Sequence, residues 1–303
     1  MSLAKLRQDY LRFHKLALAT RDVDPVYPVY RRLLELVGAT EEAGFWLTVC
    51  HLTWYDAGSA LKAWVELGGP TAHPMPQDRA LLRLTEMGLP CATERRGNRD
   101  PKQLRANLLS WGEVARGAGG VGAWVNRRAS WRGVMEQVEF VHGNGRWASY
   151  KAAEMFQKVN GLPLKPLDMG HANSSGPRQG LEVLFPGLPQ DNDRVTITKL
   201  DAMSAEFVRR LELTGLEAPI EEVETTLCDF HALAGGRYYV GHDIDQMQAQ
   251  LLRDGAWCEP VMTAFQARGM TLPHAYLGEL NGWEGVDAER RKAYRDTGEL
   301  LER

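Results

Sequence analysis

The run Phe45-Trp46-Leu47-Thr48-Val49-Cys50-His51-Leu52-Thr53-Trp54-Tyr55 is apolar on nearly every face. A helix built on it has no side to offer to water, so it belongs at the centre of a core. Its start is marked by Thr40, a good N-cap, and by Glu41 and Glu42, which suit the positive end of a helix dipole. Its end is marked by Asp56-Ala57-Gly58-Ser59-Ala60, which interrupts or bends it. A central helix of this kind needs other helices around it. The stripes Leu3/Leu6/Tyr10/Phe13/Ala17, Tyr30/Leu33/Leu34/Val37, Leu104/Leu108/Trp111/Val114, Leu200/Met203/Phe207/Leu211 and Ile220/Val223/Leu227/Phe230 all recur at helical spacing. Asp100-Pro101-Lys102-Gln103 is a strong helix start, with a cap, a proline at the first position and a glutamine three residues after the cap. The best strand signal, Val195-Thr196-Ile197, is short. Asp243 is expected to cap a helix carrying Ile244, Met247 and Leu251. The expected fold class is mostly α.

With 303 residues, the chain suits one large helical domain, divisible into lobes over 1–100 and 101–303. Its 44% hydrophobic and 25% charged residues are those of a soluble globular protein. No apolar run is long enough to span a membrane, and Met1-Ser2-Leu3-Ala4-Lys5 lacks the apolar core of a signal peptide. Cys50, Cys91, Cys228 and Cys258 are scattered with no C-x-x-C pair, which argues against structural zinc and a disulfide framework. The net charge of −3 argues against a generally basic nucleic-acid binder. The bases nevertheless concentrate between Cys91 and Asp168, while acids gather at Glu217, Glu221, Glu222 and Glu224. That distribution reads either as a basic groove or as solvated helix faces.

The stretch Phe140-Val141-His142-Gly143-Asn144-Gly145-Arg146-Trp147-Ala148-Ser149-Tyr150-Lys151 reads as a tight Gly-x-Gly hairpin opening a helix that runs to Val159. Its glycines suit a turn needing positive φ and close backbone approach. The free N–H groups of the helix suit a phosphate, with Arg146 and Lys151 adding mobile positive charge. Downstream, an irregular segment carries Asp168, His171, Asn173, Ser174, Ser175 and Arg178, and so many polar groups on one loop suggest a site. His51, Tyr55, Asp56 and Ser59, set in an apolar context, are either a structural hydrogen-bond cluster or pocket lining. Trp124 and Trp131, interleaved with Arg127, Arg128 and Arg132, are either core anchors or a platform for bases.

A hairpin, a helix and a loop aspartate some two dozen residues on resemble the helix-hairpin-helix DNA glycosylase superfamily over roughly residues 100–185. In that layout the hairpin holds the DNA backbone and the acid faces an extruded nucleotide. Bifunctional glycosylases carry a lysine just beyond the hairpin. Here Trp147 takes that place and Lys151 comes a turn later, which argues against Schiff-base chemistry.

A closer resemblance covers nearly the whole chain. Trp54–Ala60, Gly143–Lys151, Asp168-Met169-Gly170-His171, Ser175-Gly176-Pro177-Arg178, Glu224-Thr225-Thr226-Leu227-Cys228 and Tyr238–Asp245 resemble the phage amino acid:DNA transferases. These group with the α-glutamyl/putrescinyl thymine pyrophosphorylases of thymine hypermodification. The resemblance implies double-stranded DNA bearing a pyrophosphorylated 5-hydroxymethyl group on thymine, a free amino acid (glycine in the simplest members), and the cytoplasm of an infected bacterial host. The amino acid nitrogen would displace pyrophosphate at the methylene. Asp168, or next His171, would take the amine proton. Arg178, with His171, would stabilise the leaving group. Arg178 and Arg237 compete to bind the amino acid carboxylate, while Glu224, Tyr239, Tyr55, Asp56 and Ser59 are pocket candidates. Gly143, Asn144, Gly145, Arg146, Trp147 and Lys151 would contact DNA, so that a nucleotide swings out toward Asp168. No metal motif or cofactor is evident, although a divalent ion could accompany pyrophosphate. The competing readings are a glycosylase of the same superfamily and a non-catalytic DNA-binding protein.

Overall fold

The computed structural model describes residues 2–128, 130–172, 174–253, 259–278 and 286–302. Asn173 and Cys258 lie outside them. In chain order the helices are α1 (Leu3–Thr20), α2 (Val26–Leu36), α3 (Glu41–Trp54), α4 (Ala57–Glu66), α5 (Asp78–Glu86), α6 (Pro101–Ala118), α7 (Val121–Val125), α8 (Trp131–Glu139), α9 (Arg146–Lys158), α10 (Gly176–Leu184), α11 (Arg194–Leu213), α12 (Ile220–Ala234), α13 (His242–Leu252), α14 (Glu259–Thr271) and α15 (Ala288–Thr297). Short 3-10 turns lie at Gly69–Thr71, Thr93–Arg99 and His274–Tyr276. No strand occurs among the described residues, and the fold is mostly α. Two compact units are present, each discontinuous in sequence. One comprises residues 1–25, 166–248 and 272–303, and the other 26–165 and 249–271.

The second of these units is built on α3. Thr40 caps it by accepting from the Ala43 N–H at 3.2 Å, and every residue from Ala43 to Trp54 is buried. The chain turns at Tyr55, which holds the left-handed conformation at φ 51°. Asp56 then caps α4 by accepting from the Ser59 N–H at 2.9 Å. Around α3, the Trp64 indole donates to the Ala43 carbonyl at 2.8 Å, and Phe45 meets Phe156 of α9 with ring centres 5.6 Å apart. The Glu42 carboxylate accepts from the Gly122 N–H at 2.9 Å and from Val121, so a side chain of α3 caps α7.

In the other unit, Tyr10 and Phe13 of α1 pack on Phe230 of α12 with ring centres 5.4 and 5.7 Å away. Gly180 allows α10 to lie directly on α12. A Cβ there would stand 2.1 Å from the Leu227 carbonyl oxygen, and one at Gly176 would stand 2.5 Å from Cys228 Sγ. The motifs Ser175–Arg178 and Glu224–Cys228 thus meet along one seam.

Two local expectations are corrected. Val195-Thr196-Ile197 is no strand but the first turn of α11, because the Asp193 carboxylate accepts from the N–H groups of Val195 and Thr196 at 2.8 and 3.1 Å. Asp243 is not the cap of α13 but lies inside it. The capping carboxylate comes from Asp22, which accepts from the Asp243 and Ile244 amides at 3.1 and 3.2 Å, from Gly241 N–H at 2.7 Å and from the Tyr238 hydroxyl at 2.9 Å.

Candidate functional site

The hairpin joins α8 to α9, which pack on each other. Gly143 is left-handed at φ 76°, as the turn requires. Gly145 is not, with φ −87° and nothing within 4 Å of a Cβ built on it. The turn therefore needs only one glycine for its conformation. Bareness at Gly145 leaves the N-terminus of α9 without a side-chain cap. Its first-turn donors are left to an external partner or water.

Buried polar residues brace the turn from beneath. Arg95 donates Nη1 to the Gly143 carbonyl at 3.2 Å and Nη2 to Asn144 Oδ1 at 3.0 Å. Asn107 Nδ2 donates to the His142 carbonyl at 2.5 Å and to Asn144 Oδ1 at 3.3 Å. Thr53 donates to Asn107 Oδ1 at 3.2 Å, and Asn98 Nδ2 donates to the Thr53 carbonyl at 2.6 Å. The turn's carbonyls are thus held inward. The basic loop 94–99 contributes two of these braces, Arg95 and Asn98. A polar residue at Asn107, on the buried face of α6 between Leu104 and Leu108, was the available signal.

Arg146 is exposed and Trp147 half-buried. Trp147 meets the Tyr55 ring edge-on, with centres 4.9 Å apart, so the Trp54–Ala60 motif and the start of α9 come together. Lys151 does not add mobile charge to this surface. It is buried and paired with Glu154 at 2.7 Å, because its place on α9 faces inward and Glu154, one turn on, supplies the counter-charge. Asp56 and Ser59 are engaged within the unit: Asp56 holds the Arg253 guanidinium at 2.8 Å, and Ser59 donates to the Pro90 carbonyl at 2.8 Å.

The second candidate place is the segment 166–178. Asp168 is exposed, and its Oδ1 accepts from the Gly170 N–H at 2.8 Å, which folds the loop on itself. His171 is fully buried, with Nε2 2.6 Å from the Ser204 hydroxyl of α11 and Nδ1 enclosed without a partner. Burial first, and the Arg178 charge second, lower it to about 4. The ring is therefore neutral at pH 7 and cannot serve as a cation for a leaving group. Arg178 is buried at 8% exposure, and Nη1 donates to the carbonyls of Gln190 and Asp191 at 3.0 and 3.2 Å. Its Nε is enclosed without a partner, and it forms no ion pair among the described residues.

Asp201, one turn before Ser204 on α11, was not anticipated. Its Oδ1 is enclosed without a hydrogen bond. Burial first, and the charge of Asp168 second, hold its carboxyl up to about 6. The pairing Asp201/Ser204 at helical spacing was its only sequence signal.

The remaining candidates stand elsewhere in that unit. Arg237 is exposed at the end of α12, where its charge helps lower His231 after burial. Glu224 is buried and accepts from the Thr225 hydroxyl at 3.2 Å. Tyr239 is buried, donates to Asp245 at 2.7 Å and lies under the Arg290 guanidinium, 4.2 Å from its ring centre.

Among the described residues, no group of three His, Cys, Asp or Glu side chains could hold a metal ion, and no helix is long and apolar enough to cross a membrane. A scan of protein families matches residues 19–239 to the family described as amino acid:DNA transferase. A comparison with curated proteins finds no match.

Proposed function

Since the chain belongs to the amino acid:DNA transferase family, we propose that it joins the nitrogen of a free amino acid, glycine in the simplest case, to the 5-methylene of a pyrophosphorylated 5-hydroxymethyluracil in DNA. The new bond is C–N, the bond broken is C–O, and pyrophosphate leaves. The observation that supports this reading is the set of groups around segment 166–178. It offers an exposed carboxylate at Asp168, a second carboxylate at Asp201 held up to about 6, and a buried arginine at Arg178 with no carboxylate of its own.

Those groups match what the reaction needs. An ammonium ion cannot attack, so one proton must go to a carboxylate before C–N bond formation and a second must leave the product nitrogen. Asp168 and Asp201 are our acceptors. Charge develops on the departing pyrophosphate, and a fixed cation stabilises it where water is excluded. Arg178 takes that role, and Arg237 takes the amino acid carboxylate. A divalent ion would arrive with pyrophosphate and need few protein ligands. Gly143, Asn144, Gly145, Arg146 and Trp147 hold DNA, with Tyr55 supporting Trp147. His171, Asp56, Ser59, Glu224 and Tyr239 keep their places as supports. The setting would be the cytoplasm of a phage-infected bacterium, where such DNA arises.

The test is incubation with DNA bearing the pyrophosphorylated base and isotopically labelled glycine, followed by mass spectrometry of the nucleosides. Label on the base with equimolar pyrophosphate is the expected result, and Asp168→Asn should abolish it while DNA affinity persists. Abasic sites would replace this reading with a glycosylase, and no turnover on any DNA would leave a binding protein.

A further inference from the structure

The 3-10 turn Thr93–Arg99 and the start of α6 carry exposed bases that no acid among the described residues offsets. A 3-10 turn repeats every three residues. Arg95 and Asn98 are its buried side, at 6% and 4% exposure, and hold the Gly143 turn and α3. Arg96 and Arg99 are its exposed side, and Lys102 and Arg105 are exposed at the same spacing on α6. None of the four forms an ion pair among the described residues. The two acids of the stretch are engaged locally, Glu94 with the Thr93 hydroxyl at 3.2 Å and Asp100 with the Lys102 amide at 2.7 Å. Arg32, Arg132 and Arg209, on other helices, each meet a glutamate one turn away at 2.8–3.0 Å. Residues 93–105 instead hold five bases and two acids, in a chain of net charge −3. Like charges at this spacing repel, so the arrangement is unfavourable without a partner. Gln103 fastens the stretch to the hairpin. Its position suits a capping box, yet the Asp100 N–H goes to the Gly97 carbonyl at 3.2 Å, and Gln103 Oε1 accepts from His142 Nε2 at 2.7 Å.

We propose that Arg96, Arg99, Lys102 and Arg105 form a docking ridge, separate from the hairpin, for the stretch of duplex that flanks the reacting nucleotide. Cations repeated along a braced surface fit a polymer of regular negative charge, and each strand of duplex DNA carries one charge per about 3.4 Å of axis. The choice of DNA as that polymer rests on the reading above. Contacts of this kind position a duplex without reading its sequence. The ridge therefore sets how tightly and over what length DNA is held, and leaves the chemical step alone.

The test combines Arg96→Gln, Arg99→Gln, Lys102→Gln and Arg105→Gln in one variant. A control combines Arg31→Gln, Arg83→Gln, Arg209→Gln and Arg210→Gln, which removes the same charge from exposed bases that already have an acid partner. Every substituted side chain is exposed, so both variants should melt with the wild type. Fluorescence anisotropy with an unmodified DNA duplex between about 50 and 200 mM salt reads binding. The ridge variant should bind roughly tenfold or more weakly, with a slope of log K against log salt shallower by about 1.8 or more, the value of two phosphates. The control should keep the wild-type slope. On DNA bearing the pyrophosphorylated base, the ridge variant should raise KM and hold kcat within about twofold of wild type. A ridge variant with the wild-type slope overturns the proposal and leaves the transferase reading untouched. Equal losses in the ridge and control variants also overturn it, since net charge alone would then account for binding. Differing slopes without transfer of glycine would keep the ridge and end the transferase reading. A wild-type protein that binds no DNA overturns both.

Discussion

Nε2 of His171 and the hydroxyl of Ser204 are 2.6 Å apart, and this bond fastens the loop of Asp168 to α11. Ser204→Ala leaves that nitrogen buried beside a second ring nitrogen already without a partner. The expected loss is about 1–3 kcal/mol, read by urea denaturation at pH 7. Loosening the loop should lower kcat with little change in DNA affinity. The imidazole is lowered in the folded state, so its contribution to stability is complete above its unfolded value of 6.5 and is lost as pH falls through about 4. A wild-type stability curve flat across that window would contradict the buried, neutral ring.

Asp201 carries the opposite sign. Its folded carboxyl is raised to about 6 from 3.8, so ionising it in the fold is unfavourable, and its contribution declines as pH rises through that window. Asp201→Asn should therefore melt higher than wild type at pH 7 and equally at pH 3. In transfer assays the wild-type rate should rise with pH through a value near 6, that of the Asp201 carboxyl. Asp201→Asn should displace that limb and lower its plateau. An unchanged profile would remove Asp201 from the chemistry.

The glycines of the hairpin should separate folding from binding. Gly143→Ala forces a side chain into φ 76°, at about 1–2 kcal/mol, and melting should show it. Gly145→Ala meets nothing within 4 Å, so the melting temperature should stay put. On the proposed reading DNA packs against this bare position, so the added methyl group should lower duplex affinity. Equal affinity for Gly145→Ala and wild type would place the DNA elsewhere.

At the seam between α10 and α12 no side chain fits. Gly180→Ala sets a Cβ 2.1 Å from the Leu227 carbonyl oxygen, and backbone cannot rotate away as a flexible side chain can. Overpacking of this kind costs about 1–3 kcal/mol or more, and chemical denaturation should find at least that. A neutral result would mean that the two helices are free to part.

Much of the helical plan was legible in the chain because its signals are local. Thr40 and Asp100 cap the helices they were read to cap, and the apolar run through Trp54 is buried throughout. The signals misread were those decided by distant residues. Val195-Thr196-Ile197 has strand-forming side chains, yet a single capping carboxylate at Asp193 outweighs them. Lys151 looked like surface charge because nothing in its neighbourhood announces that its helix face is buried. Asp22 caps α13 from more than two hundred positions away, which no local pattern could reveal. Around the candidate site, Asp168, His171 and Arg178 were legible as a polar cluster, but Asp201 and Ser204 lie on another helix. Arg95 was legible only as a charge, since depth below a turn is a property of packing.

The family match closes at Tyr239, and the Asp22 carboxylate shows why an expression boundary should not be cut there. A fragment trimmed to residues 19–239 would retain the Tyr238 hydroxyl but lose the amides of Gly241, Asp243 and Ile244. The carboxylate would be stranded with most of its donors gone, so any shortened version for crystallography or screening must run past Ile244.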